Sequence, residues 1–90
     1  MFDVNISTEQ GKVLGEFVWD SYFFEPSKYE YAFYLYKDGE RVDTQWYTDN
    51  VKVEFSIKNM VGNFYIKAFI KDRVDENKRQ FDSQELLIKN

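Results

Sequence analysis

The residues Val51-Lys-Val53-Glu-Phe55-Ser-Ile57 alternate apolar and polar without a break. Side chains alternate from face to face along a strand but recur every 3.6 residues on a helix, so this run has one apolar face only as a β-strand. The same period recurs along the chain. Phe2 to Ser7, Lys12 to Asp20, Tyr29 to Lys37, Arg41 to Thr48 and Asn63 to Lys71 are short runs rich in β-branched and aromatic residues, divided by polar turns. A seventh run spans about Lys78 to Ile88, and its poor alternation predicts a bulge. Ser83 to Leu87 is the best local candidate for a helix, but a closing strand fits the chain end better. Seven short strands, with turns roughly every 8–12 residues, predict an all-β fold: an immunoglobulin-like antiparallel β-sandwich, with a small barrel as the alternative.

Ninety residues make one domain with a small core. Nine Phe, seven Tyr and two Trp fill a fifth of it, whereas Cys and His are absent. Those zeros exclude a disulfide framework, a Cys/His zinc site and any nucleophile that depends on a histidine base. The formal charge of −4 argues against a nucleic-acid footprint, which is usually basic. No apolar run approaches the roughly 18 residues of a membrane span. Phe2-Asp3-Val4-Asn5 after Met1 does not read as a signal peptide. The chain begins at a strand and stops two residues after its last apolar run, which predicts a domain excised from a longer protein. The cellular compartment is not encoded in these residues.

Asp38-Gly39 lies between two strand patterns, and a type I′ turn needs positive φ at both central residues. With Lys37 facing Glu40, Leu35 falls opposite Val42, Phe33 opposite Thr44 and Tyr31 opposite Trp46. The other face then pairs Tyr36 with Arg41, Tyr34 with Asp43, Ala32 with Gln45 and Glu30 with Tyr47. One register sorts an apolar set from a polar-aromatic set, so the first face is assigned to the core. The predicted core is Phe2, Val4, Ile6, Val13, Phe17, Trp19, Tyr31, Phe33, Leu35, Val42, Trp46, Val53, Phe55, Ile57, Phe64, Ile66, Ala68 and Ile70.

The run Gly62-Asn-Phe64-Tyr65-Ile66-Lys67-Ala68-Phe69-Ile70-Lys71-Asp72 resembles the penultimate strand of bacterial immunoglobulin-like sandwiches. Taken with Tyr29-Glu-Tyr31-Ala-Phe33-Tyr-Leu35, it makes residues 29–72 resemble the three-tyrosine (Y_Y_Y) domain and related fibronectin-III-like modules. Phe64 stands where these families often carry Tyr, and a phenyl ring cannot donate the hydroxyl bond of a tyrosine corner, which leaves Tyr65 to supply it. The resemblance implies a non-catalytic accessory module of a larger bacterial protein. It carries over no binding residue and no cofactor.

In an immunoglobulin-like arrangement the sixth strand neighbours the third. Tyr65, Lys67, Phe69 and Lys71 then share an outer face with Tyr34, Tyr36, Arg41, Asp43 and Tyr47. Such a face suits a protein partner or a neighbouring domain, because Tyr and Arg are enriched at contact hot spots. It also suits a glycan, whose apolar ring faces stack on aromatic plates. Ordinary cross-strand pairing, such as a Tyr36–Arg41 cation–π contact, is the third account.

Other features carry less. Asp72-Arg-Val-Asp75-Glu76-Asn77 holds several oxygen ligands, but its spacing matches no calcium loop and reads as a hairpin turn. Asn5-Ile6-Ser7 matches a glycosylation sequon by chance composition. The carboxylate pairs Asp38/Glu40 and Glu25/Glu30 lack a cleft in so small a sandwich, so no enzyme is expected. Phe23-Phe24-Glu25-Pro26-Ser27 is expected to cap one end of the core. Exposed first and last strands could pair with a second copy edge to edge, and the residues do not decide the oligomeric state.

Overall fold

The computed structural model describes residues 1–89. Eight strands follow one another: β1 (Phe2–Glu9), β2 (Lys12–Trp19), β3 (Tyr29–Lys37), β4 (Glu40–Thr48), β5 (Lys52–Ser56), β6 (Gly62–Asp72), β7 (Lys78–Asp82) and β8 (Leu86–Ile88). A single 3-10 turn at Pro26–Lys28 leads into β3. All pairings are antiparallel. One sheet has the order β1-β2-β5. The other runs β4-β3-β6-β7, with β8 continuing along β6 beyond β7. The result is a β-sandwich in which the sixth strand neighbours the third, as an immunoglobulin-like arrangement requires.

The expected seventh run is β7 and β8 together. Ala68 pairs with Phe81 and Phe64 with Leu86, so four steps on β6 match five on its neighbour. Ser83 marks the break. Its N–H donates to the Ile66 carbonyl at 2.8 Å, and its Oγ accepts from the Ile66 N–H at 2.8 Å. The bulge expected from poor alternation is present, and the hydroxyl replaces a lost ladder partner.

The two inner faces close over Val4, Val13, Phe17, Tyr31, Phe33, Leu35, Val53, Phe55, Ile57, Phe64, Ile66, Ala68 and Ile70. Phe2, Ile6 and Trp19 pack against this core while partly exposed. Phe17 is the hub at one end, with ring centroids 5.5–6.1 Å from Phe2, Trp19, Phe24, Tyr31 and Phe81. Phe24 lies 5.0 Å from Trp19 and 5.0 Å from Tyr29, so it caps the core as expected. Phe23 does not: it is 91% exposed beside Tyr22 at 96%.

The corner bond differs from the expectation. Tyr65 points away from the core and stacks on Tyr36. The buried Tyr31 hydroxyl instead donates to the Pro26 carbonyl at 2.8 Å, fixing the 3-10 turn to the start of β3.

The largest correction concerns the β3–β4 hairpin. Its turn is the expected one, with φ of 50° at Asp38 and 87° at Gly39, and Lys37↔Glu40 and Tyr36↔Arg41 pair as predicted. Beyond them the register moves twice. Leu35 pairs with Asp43 instead of Val42, and Tyr31 with Thr48 instead of Trp46. Each shift inserts one extra residue into β4. Val42 is therefore 40% exposed and Trp46 63% exposed, and neither belongs to the core. The reason lies in the opposite sheet. That sheet has three strands, and an open groove of about 490 Å³, lined by Gln45, Thr48 and Val53 among others, separates β4 from β5. An indole turned inward from β4 would meet no apolar layer. With nothing to bury against, bulges are free to form, and they also blunt the sheet edge.

A clasp holds the turn to β6. The Asp38 N–H donates to the Asn63 carbonyl at 2.8 Å, and the Asp38 carboxylate accepts from the Asn63 N–H at 2.9 Å. That amide, with the Lys37 ammonium, keeps the Asp38 carboxyl below its usual range. Gly62 makes the approach possible, since its φ is +142° and a Cβ there would lie 2.7 Å from the carboxylate.

Two outcomes follow. Phe33→Ala should cost about 3–5 kcal/mol and Trp46→Ala less than about 1 kcal/mol in urea unfolding. Equal losses would restore the unbulged register. Tyr31→Phe should cost about 1 kcal/mol at neutral pH. Burial, with Tyr29 nearby, pushes the Tyr31 hydroxyl from 10.0 up to about 12. Between about pH 10 and 12 the unfolded chain releases a proton that the folded chain keeps, so wild-type stability falls there. The gap between wild type and Tyr31→Phe should then narrow by about pH 11. A constant gap would contradict a buried, proton-retaining hydroxyl.

Candidate functional site

The β3–β6 ladder runs without a bulge from Tyr29↔Asp72 to Lys37↔Phe64. Strand alternation puts Tyr31, Phe33 and Leu35 of β3, with Ile66, Ala68 and Ile70 of β6, on the core side. The opposite side carries Tyr34 facing Lys67, Tyr36 facing Tyr65, and Ala32 facing Phe69. Tyr34, Tyr36, Tyr65, Lys67 and Phe69 are all partly buried. They form a second layer on the outside of the sheet.

The layer is internally packed. Tyr36 and Tyr65 stack at 4.9 Å with an interplanar angle of 9°. Tyr34 and Phe69 meet at 4.8 Å. Ala32 lies beneath them, 1% exposed although it points away from the core. A cation lies over each of three rings: Arg41 at 4.8 Å from Tyr34, Lys67 at 5.1 Å from Tyr36 and Lys71 at 4.5 Å from Tyr47. The expected Tyr36–Arg41 contact is thus replaced. Arg41 pairs with Tyr36 along the ladder but lies over the ring of Tyr34. Burial raises the Tyr47 hydroxyl above its ordinary value, with Tyr34 and Glu30 adding to it. Glu30 binds Lys71 at 3.4 Å and Arg73 at 3.6 Å.

Eight of the nine expected face residues therefore come together: Tyr34, Tyr36, Arg41, Tyr47, Tyr65, Lys67, Phe69 and Lys71. Asp43 does not. The first bulge sets it opposite Leu35, on the other side of the sheet, where its carboxylate accepts from the Thr44 N–H at 2.8 Å. Trp46 joins the layer instead, 5.3 Å from Tyr47 in an edge-on contact. The signal for it was present in the polar run Asp43-Thr44-Gln45, which gives β4 no continuous apolar face.

Elsewhere several titratable groups have local partners. Asp72 accepts from the Val74 N–H at 2.8 Å and Asp75 from the Asn77 N–H at 2.9 Å, so these loop carboxylates close their own turn. Glu25 pairs with Lys28 at 2.7 Å. Arg73 joins three segments: Nε donates to the Ser27 carbonyl at 3.0 Å, and the guanidinium also binds Glu30 and Asp49. It lines an open groove of about 660 Å³ beside Trp19 and Val51. Among the described residues no helix is long and apolar enough to cross a membrane. No family model, no curated protein and no solved structure matches this chain.

Proposed function

We propose that the chain is a non-catalytic accessory module that makes protein contacts, with a neighbouring domain of a larger bacterial protein or with a separate partner, through the outer face of its larger sheet. The occupied state of the rings carries this reading. A sugar needs bare aromatic plates for its C–H face, and of the rings in this layer Trp46 alone is largely exposed. Here Arg41, Lys67 and Lys71 already lie over Tyr34, Tyr36 and Tyr47, and Tyr65 stacks on Tyr36. A protein surface needs what is offered instead: rigid tyrosines, an arginine and an exposed tryptophan, held on strands rather than loops. The likeness to three-tyrosine and fibronectin-III-like modules points the same way.

Affinity capture from a bacterial lysate and titration with neutral oligosaccharides test the reading together. Tyr34→Ala/Tyr36→Ala should stay folded by circular dichroism and lose the protein that wild type retains. Capture that is equal for variant and wild type would overturn the assignment of this face. Amides of Tyr34, Tyr36, Tyr47 and Tyr65 should not shift with saccharide. Saturable shifts there would put a carbohydrate-binding module in place of a protein-contact module.

A further inference from the structure

The chain has sixteen acidic and twelve basic side chains, yet the outer face of the larger sheet has the opposite balance. Ladder pairing directs Arg41, Lys67, Lys71 and Lys78 to this side, against Glu30 and Asp82. Glu30 is already held by Lys71 and Arg73. Among the described residues neither Arg41 nor Lys67 has a carboxylate within 4.0 Å. Asp82 faces Lys67 across the β6–β7 ladder without an ion-pair contact, and the face as a whole keeps an excess of cations on a molecule with surplus acid.

We propose that the partner of this face is an acidic protein segment whose carboxylates meet Arg41 and Lys67. The proposal rests on the reading of this face as a protein-contact surface and supplies the chemistry of what binds there. Charge complementarity carries it. At physiological salt the Debye length is about 8 Å, and packed sheets stand about 10 Å apart. Carboxylates of the smaller sheet are therefore largely screened from an approaching segment, and on the outer face itself Arg41, Lys67, Lys71 and Lys78 outnumber Glu30 and Asp82. Each cation is also held against a ring, so less side-chain freedom is lost when a carboxylate binds. Aromatic area around the two cations lowers the local dielectric and strengthens the ion pair that forms. A nucleic acid would need a wider basic footprint than Arg41, Lys67 and Lys78 on a chain of charge −4.

Selection of random 12-residue peptides displayed on phage, against the intact 90-residue chain, tests this. The enriched peptides should be acidic. A synthetic copy should bind wild type about tenfold more weakly in 0.5 M than in 0.05 M NaCl. It should also lose about fivefold or more in Arg41→Gln/Lys67→Gln, with the circular dichroism spectrum unchanged. Neutral or basic peptides that still require Tyr34 and Tyr36 would overturn the acidic assignment and leave the contact surface standing. Peptides that bind Tyr34→Ala/Tyr36→Ala as well as wild type would overturn both. Binding of polygalacturonate through Arg41 and Lys67, without acidic peptides, would replace the protein with an acidic glycan. Self-association of the chain through this face, with no peptide enriched, would overturn the proposal in favour of a second copy.

Discussion

The pairing of β3 with β6 is the constraint on which the rest depends. Nine consecutive residue pairs, from Tyr29↔Asp72 to Lys37↔Phe64, keep one register throughout. Because side chains alternate, this one ladder presents two surfaces at once. Phe33, Leu35, Ile66 and Ala68 close against Val4, Val13, Phe17 and Phe55 from the other sheet. Tyr34, Tyr36, Tyr65 and Phe69 stand on the opposite side and bury Ala32. A one-residue slip would exchange the two sets, sending tyrosine hydroxyls and lysines into the core and phenyl rings to water. The cost of that exchange fixes the register far more firmly than any single contact.

The same ladder explains why one hairpin obeys simple pairing and then departs from it. Near the turn, β4 is held by Asp38-Gly39 and by the clasp to Asn63. Farther along, β4 is an edge strand with no layer opposite its inner side, and Glu40 through Trp46 are exposed. No burial energy rewards a regular register there. Two bulges form, and Trp46 comes to lie against Tyr47. The aromatic layer of the outer face is thus assembled from two sources: strict alternation on β3 and β6, and relaxed alternation on β4.

Much of this was legible in the residues. Period-two runs located β1 to β6, and the poorly alternating run from about Lys78 to Ile88, read as one strand with a bulge, is divided at Ser83 into β7 and β8. The outer positions of β3 and β6 followed from alternation alone. Val42 and Trp46 were misplaced because a hairpin register was judged by its apolar pairs, as though both strands had a core to meet. Which strand lies at an edge, and how many strands face it, is a property of the whole sandwich and not of the hairpin. Tyr31 illustrates the same limit. It reads as a core residue, but its bond to Pro26 depends on a loop whose path the sequence does not describe. The cations above the rings were visible as residues, while their positions were not: Arg41 reaches past its ladder partner to Tyr34.

Interstrand nuclear Overhauser contacts from β3 to β6 and to β4 test the central claim most directly, because they report both registers pair by pair. The β3–β6 ladder should give Leu35 with Ile66 and Tyr36 with Tyr65. The account predicts contacts for Tyr36 with Arg41, Leu35 with Asp43 and Tyr31 with Thr48, and ring contacts from Trp46 to Tyr47. Contacts of Leu35 with Val42 and of Tyr31 with Trp46 would contradict it. They would return the indole to the core side and leave the outer aromatic layer to Tyr34, Tyr36, Tyr47, Tyr65 and Phe69 without Trp46.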